Sequence, residues 1–219
     1  MLNIKSFFFN PLQTRCVVLW REGLPGCLVT DPGACDGAER EELTGFLDGL
    51  GLSPEKILLT HAHFDHVFAV RALRERYGCP VLMHPADEAL LKDGFPTVPV
   101  HEGDTVTLGG EPVFTVLETP GHTPGGVCYY SADNQLLLSG DSLFSGTIGR
   151  TDLPGGDYDT LIHSILEKIM VLPGDTTVVP GHGGPTTIGR EATANPFLVP
   201  FNEPEPDWMQ DGISLDNDL

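Results

Sequence analysis

The sequence predicts an α/β or α+β fold in which helices cover mixed sheets. Three observations carry this expectation. Short runs rich in β-branched, aromatic and aliphatic residues recur in both halves of the chain. Two pairs of these runs are joined by tight-turn residues, as hairpins require. Between the runs lie segments with apolar residues at helical spacing.

Residues 4–9, 15–20 and 26–30 read as three short strands, with Asn10-Pro11 and Gly23 to Gly26 as turns between them. Residues 37–50 predict a helix with Leu43, Phe46, Leu47 and Leu50 on one face. "KILLT" is a short buried strand, followed by a histidine-rich turn. "VFAVRALRERYG" then predicts a helix closed by Gly78. "PVLMH" is a further strand, followed by a short helix over 85–92. "DTVTLGGEPVFTVLET" reads as a hairpin turning at Gly109-Gly110, and "VCYYS" with "QLLLSG" as a second around Asp133-Asn134. Residues 157–171 predict a helix with Leu161, Ile165, Leu166 and Ile169 inward. "TTVVP" is the last strand, and the pattern fades after Gly184. From Phe201 onward the chain carries acidic residues and no Lys or Arg. Residues 1–200 are therefore expected to form a single domain, and 201–219 a loosely held acidic tail with Trp208 as its anchor.

The chain has 219 residues, enough for one large domain with a well-buried core or for two small ones. Its 12 basic and 31 acidic residues give a net charge of −19. That balance excludes nucleic acid, which needs a basic face, and anionic membranes as partners. No run approaches the 18 or so apolar residues of a membrane span. "MLNIKSFFFN" is too short an apolar run for a signal peptide. The five cysteines fall at irregular spacings without a CxxC, which suits free thiols in a reducing compartment. A cytoplasmic protein, monomeric or homodimeric, acting on a small molecule is the expectation.

The stretch "LLTHAHFDH" places three of the eight histidines and an aspartate within six positions. In extended chain, side chains repeat every two residues, so His61 and His63 point the same way. Asp65 and His66 enter the next helix. One ion cannot easily use all four groups at this spacing, whereas two adjacent ions can. Further ligands should then lie at other strand ends, and three places qualify. "ETPGHTPGG" offers His122, "LLLSGD" offers Asp141 and "VVPGHGG" offers His182. A single histidine after a strand is more often a hydrogen-bonded loop residue. Three such placements beside the cluster point to a metal site.

HxHxDH, then GH, GD and GH in this order, resembles the metallo-beta-lactamase superfamily over roughly residues 15 to 184. The resemblance implies a four-layer αββα sandwich of two mixed sheets, with metals at the edge between the sheets. It implies one divalent ion on His61, His63 and His122, a second on Asp65, His66 and His182, and Asp141 bridging both. Zinc is the expected metal, and iron or manganese fit the same ligands. Asp65 and Asp141 are the catalytic candidates. Asp31 in "VTDPG" reads either as turn chemistry or, by the resemblance, as a carboxylate that orients a ligand histidine. Thr60 and Thr123 are candidates for the same supporting role. The bridging carboxylate suits glyoxalase II-type members and argues against the antibiotic-degrading group, which uses a cysteine there.

"GDSLFSGTIGRTDLPGGD" is similar to small, single-domain glyoxalase II-like hydrolases of the bacterial type. The implied reaction is hydrolysis of a thioester such as S-lactoylglutathione by a metal-bound hydroxide. Arg150 in this run is either half of a structural pair with Asp152 or a residue of the substrate mouth. The chain departs from full-length glyoxalase II by lacking a C-terminal helical domain for glutathione. The segment after His182 holds one Arg, Arg190, and no Lys. Persulfide dioxygenation by a single iron on the same fold is the alternative reaction, and a lactonase is a further one. Phe64 reads equally as pocket wall or core. His84 is expected to be structural, and His101 and His163 receive no role.

Overall fold

Alternation along the strands sets the layers. In the computed structural model, which describes residues 1–92 and 94–202, the first sheet has six strands. They are β1 (Leu2–Phe9), β2 (Thr14–Arg21), β3 (Gly26–Thr30), β4 (Ser53–Leu58), β5 (Val81–Met83) and β6 (Val98–Pro99), in that spatial order. The first three pair antiparallel, and β3 to β6 run parallel. The hairpin β7 (Thr105–Leu108) and β8 (Glu111–Glu118) opens the second sheet. It continues with β9 (Val127–Ser131) and β10 (Leu136–Gly140). A small separate hairpin, β11 (Leu143–Phe144) with β12 (Thr147–Ile148), follows. Then β13 (Thr177–Pro180) and β14 (Thr186–Thr187) complete the second sheet in the order β14-β13-β10-β9-β8-β7.

Successive residues of each central strand face opposite layers. In β2, Val17 and Leu19 enter the core between the sheets, and Cys16 and Val18 face the helices outside. In β9 and β10, Val127, Tyr129, Leu136 and Leu138 point between the sheets, and Cys128 and Leu137 point outward. Burial on both faces explains why these strands read as unbroken apolar runs. The outer face of the first sheet is covered by α1 (Gly37–Gly49), α2 (Phe64–Val67) and α3 (Val70–Tyr77). That of the second is covered by α4 (Tyr158–Ser164) with its continuation and by α5 (Ile188–Ala194). The layers are αββα, with two mixed sheets.

Several local expectations are corrected. Leu50 caps α1 and is exposed, because the helix ends at Gly49 and turns it outward. The helix expected from Val67 starts at Val70 as α3, Val67 being the last residue of the short α2, and Gly78 in a left-handed conformation closes it as expected. The residues after Ser164 widen into a π-type turn, in which the Met170 amide donates to the Ile165 carbonyl at 2.8 Å. Ile162, in α4, is buried, while Leu166, in the widened turn, is only half-buried. The chain beyond Gly184 is ordered into β14 and α5, the latter capped by the Thr187 hydroxyl. Of the predicted tail, residues 203–219, with Trp208, lie outside the described residues. All five cysteines are free thiols. Among the described residues no helix is long and apolar enough to cross a membrane.

Candidate metal centre

Strand direction brings the candidate residues to one edge. β3 and β4 are parallel, and β8, β10 and β13 share one direction in the second sheet. Their C-terminal ends therefore open at the same rim. Asp31 follows β3; His61 and His63 follow β4, with Asp65 and His66 in α2. His122 follows β8, Asp141 follows β10 and His182 follows β13. The structure brings all seven candidate ligands together. His63 Nδ1 lies 3.0 Å from His122 Nε2, and His66 Nε2 lies 3.3 Å from His182 Nε2. Asp141 Oδ1 is 3.5 Å from His66, and its Oδ2 is 3.5 Å from His122 and 3.4 Å from His182. Asp65 Oδ2 is 3.5 Å from His66 and 3.4 Å from His182. Ligand atoms of His61, His63 and His122 converge as one group, and those of Asp65, His66 and His182 as another.

These residues fit divalent cations. Tetrahedral ligands at about 2.0–2.1 Å from an ion stand roughly 3.4 Å apart, close to the separations above. His61 Nε2 and Asp141 Oδ1 are buried without a hydrogen-bond partner, and a buried polar atom left so is costly unless a ligand satisfies it. The outer nitrogens are fixed. His122 Nδ1 is 2.7 Å from the Arg150 carbonyl and His182 Nδ1 is 3.0 Å from the Leu12 carbonyl. Donation there turns each Nε2 lone pair inward.

The charge distribution also calls for cations. Burial, reinforced by the neighbouring histidines, pushes the His61 pKa well below its ordinary value, and burial also lowers that of His63. Both are neutral donors. Burial opposes ionisation of Asp65 and Asp141 but is outweighed, chiefly by His182 for Asp65 and His66 for Asp141, so both carboxyls titrate below their usual range. Burial likewise works against charge on His66 and His182. The surrounding carboxylates prevail, raising His66 and pushing His182 up to about 10.

Asp31 supports this centre. Its backbone is left-handed, with φ 47°, unusual for a residue other than glycine. Its carboxylate accepts from the Thr60 amide at 2.8 Å and the Thr60 hydroxyl at 2.6 Å, and lies 3.2 Å from His66 Nδ1. Thr60 Oγ1 is also 3.1 Å from His61 Nδ1. Thr123 does not act on a ligand histidine; its hydroxyl donates to Asp87. The Arg150 side chain forms a two-pronged pair with Asp152 at 2.8 Å for each bond, while its carbonyl orients His122. Phe64 is an exposed wall of the cavity above the centre. His84 is engaged with Glu118 and lines no part of that cavity.

Four supporting residues escape sequence reasoning. Thr14 donates to Asp65 Oδ2 at 2.7 Å, and Asn10 Nδ2 donates to the carbonyls of Gly33 and Asp65. Arg15 is buried, with its guanidinium on the carbonyls of Pro180 and Gly183, so it clamps the His182 loop. Asp87 is fully buried and accepts from the Ala62 amide, the Thr123 hydroxyl and the Gly125 amide at 2.6–3.0 Å. It ties the His61–His63 loop to the His122 loop. Gly181 is required by proximity, since a Cβ there would sit 2.2 Å from Asp141 Oδ1.

The comparisons agree with this architecture. The Bacillus subtilis protein named "Probable metallo-hydrolase YqgX" is 42% identical, over 88% of this chain and 96% of its own. Hydroxyacylglutathione hydrolase GloC of Haemophilus influenzae is 35% identical, over 90% and 98%. Among solved structures, BLEG-1 B3 metallo-beta-lactamase superposes with a TM-score of 0.82 at 39% identity, covering 90% of this chain and 99% of that one. TTHA1623 in a di-iron-bound form gives 0.78 at 40% identity, covering 89% and 100%. A family model described as the metallo-beta-lactamase superfamily matches residues 9–182. With its candidate strand-end ligands converging at the edge of two mixed sheets, the chain belongs to the metallo-beta-lactamase superfamily.

Proposed function

We propose that the protein is a metal-dependent hydrolase that cleaves a thioester of the hydroxyacylglutathione type. The observation that carries this reading is the convergence of five imidazoles and two carboxylates, of which His63, Asp65, His122, Asp141 and His182 line an open cavity of about 850 Å³ and His61 and His66 lie directly behind them. His61, His63 and His122 would hold one divalent ion, and Asp65, His66 and His182 a second, with Asp141 shared. When bound, such ions polarise a carbonyl and bring the pKa of water from 15.7 to roughly 7. The chain's own contribution is orientation and proton handling. Asp65, kept ionised and aligned by the Thr14 hydroxyl, faces the cavity and is placed to accept the proton of attacking water. Thr60 and the carbonyls of Arg150 and Leu12 orient His61, His122 and His182, and the Asp31 carboxylate lies 3.2 Å from His66 Nδ1. The likeness to GloC supports the thioester, and the di-iron neighbour makes iron as relevant to test as zinc.

The test is metal analysis of the purified protein coupled to an S-lactoylglutathione assay. Turnover that depends on the metal is the expected result, and turnover by chelator-stripped protein would refute the mechanism. Oxygen uptake with glutathione persulfide would instead favour dioxygenation. The likeness to BLEG-1 makes a chromogenic beta-lactam the control substrate.

Metal loading should also release protons. His182, with its pKa at about 10, holds a proton at pH 7 that a cation must displace. Proton competition therefore weakens metal affinity as pH falls, and affinity tightens as pH rises toward 10. Calorimetry of zinc binding in buffers of different ionisation enthalpy should show net proton release at pH 7.5. An enthalpy independent of the buffer would contradict the assignment of His182.

A further inference from the structure

The walls of the cavity differ sharply from its floor. Above the histidines and aspartates stand Leu12, Phe64, Phe144, Ile148 and Leu153. Among the described residues the one Lys or Arg on the lining is Arg150, and it is engaged in a two-pronged pair with Asp152. Glutathione carries two carboxylates, and these walls offer them no uncommitted cation. The net charge of −19 adds long-range repulsion. The charged end of such a thiol must therefore remain toward solvent, and the acyl side of the thioester must take the apolar walls.

The apolar surface does not stop there. Phe64, 55% exposed, is shared with a second cleft of about 400 Å³, where Phe68, Leu90, Leu91 and Phe95 extend the lining. Phe64 and Phe68 pack edge to face at 5.6 Å, so the shared wall is braced. Charged groups on this cleft, Arg71 and Lys92, are exposed. A lactoyl group, small and hydroxylated, would use little of this surface. Apolar walls of this extent, beside a few convergent polar groups, are the usual make-up of a site that buries most of a sizeable ligand.

We propose that the site takes thioesters or esters whose acyl group is an extended apolar chain, seated along Leu12, Phe144, Ile148 and Leu153 and continuing over Phe64. The inference rests on the hydrolase reading for its chemistry, but the subsite can be probed without turnover. S-alkylglutathiones are thioethers that cannot be hydrolysed. Their affinity for the zinc-loaded protein, from S-methyl to S-octyl, should rise about threefold for each of the first several methylenes buried. S-acylglutathiones of the same lengths should show the same rise in kcat/KM, with the lactoyl compound below hexanoyl. Phe64→Ser and Phe144→Ser should flatten both slopes. An affinity independent of chain length overturns the proposal. A rising affinity with no turnover of any thioester or of the matching oxygen esters would support the apolar subsite and sink the hydrolase reading instead.

Discussion

Asp141→Ala is expected to lower thioester hydrolysis by about a thousandfold or more, with the fold retained. Asp141 is the one carboxylate that stands between the two groups of candidate ligands. Its Oδ1 faces His66, and its Oδ2 faces both His122 and His182. Without it, five imidazoles and Asp65 must hold two dications with one negative charge fewer. The metal content of the purified protein should fall below that of the parent. The fold should persist because the side chain makes no hydrogen bond to the scaffold through Oδ1. Gly181→Ala approaches the same point by crowding. Its added Cβ would meet Asp141 Oδ1 at 2.2 Å and His66 Cε1 at 2.9 Å, so the centre must shift. Activity, bound metal and the thermal midpoint, measured together on both variants, check the claim. Full activity in Asp141→Ala would remove this carboxylate from the mechanism.

Asp87→Ala is expected to destabilise the protein by about 3–5 kcal/mol and to weaken metal binding at the same time. The carboxylate is 0% exposed and satisfies three donors. Removing it leaves two buried amides and a hydroxyl unpaired, each costing about 1–3 kcal/mol. Two of these donors lie in the segment that carries His122, and the third, the Ala62 amide, lies between His61 and His63. Loss of the tie therefore loosens two ligand loops relative to one another. Asp87→Asn, which keeps an accepting oxygen, should recover part of both losses. Urea unfolding gives the stability change, and zinc titration against a competing chelator gives the affinity. A variant of unchanged midpoint but weakened metal affinity would show that Asp87 positions ligands without supporting the fold.

The two residues differ in how far the chain announces them. Asp141 sits at the end of "LLLSGD", and strand-end placement can be read from neighbouring residues alone. The same holds for His61, His63, His122 and His182. Asp87 lies in "PADEAL", part of the short helix expected over 85–92, where nothing in the neighbouring residues marks its carboxylate as buried. Its burial arises only because the loops after β4 and β8 pack against it. Arg15 is similar. Its neighbours in β2 mark an apolar strand, and only the arrival of the loop after β13 gives its guanidinium two carbonyls to bind. Leu50 shows the reverse error, since helical spacing put it on the buried face and the helix end left it exposed; the role that the resemblance offered Thr123 also failed, because packing set its hydroxyl on Asp87.

By itself, the amino-acid order determined the alternation of strands and helices, the two-faced burial of the central strands and the strand-end position of every candidate ligand. These are properties of residues near one another along the chain, where period and turn chemistry act directly. Only the tertiary structure decided which carboxylates brace those ligands, which hydroxyls and carbonyls set their tautomers, and that the cavity above them is walled by Leu12, Phe64, Phe144, Ile148 and Leu153. Such contacts join segments up to 170 positions apart, as between Leu12 and His182. No local pattern encodes a hydrogen bond whose partner is brought in by the packing of two separate sheets.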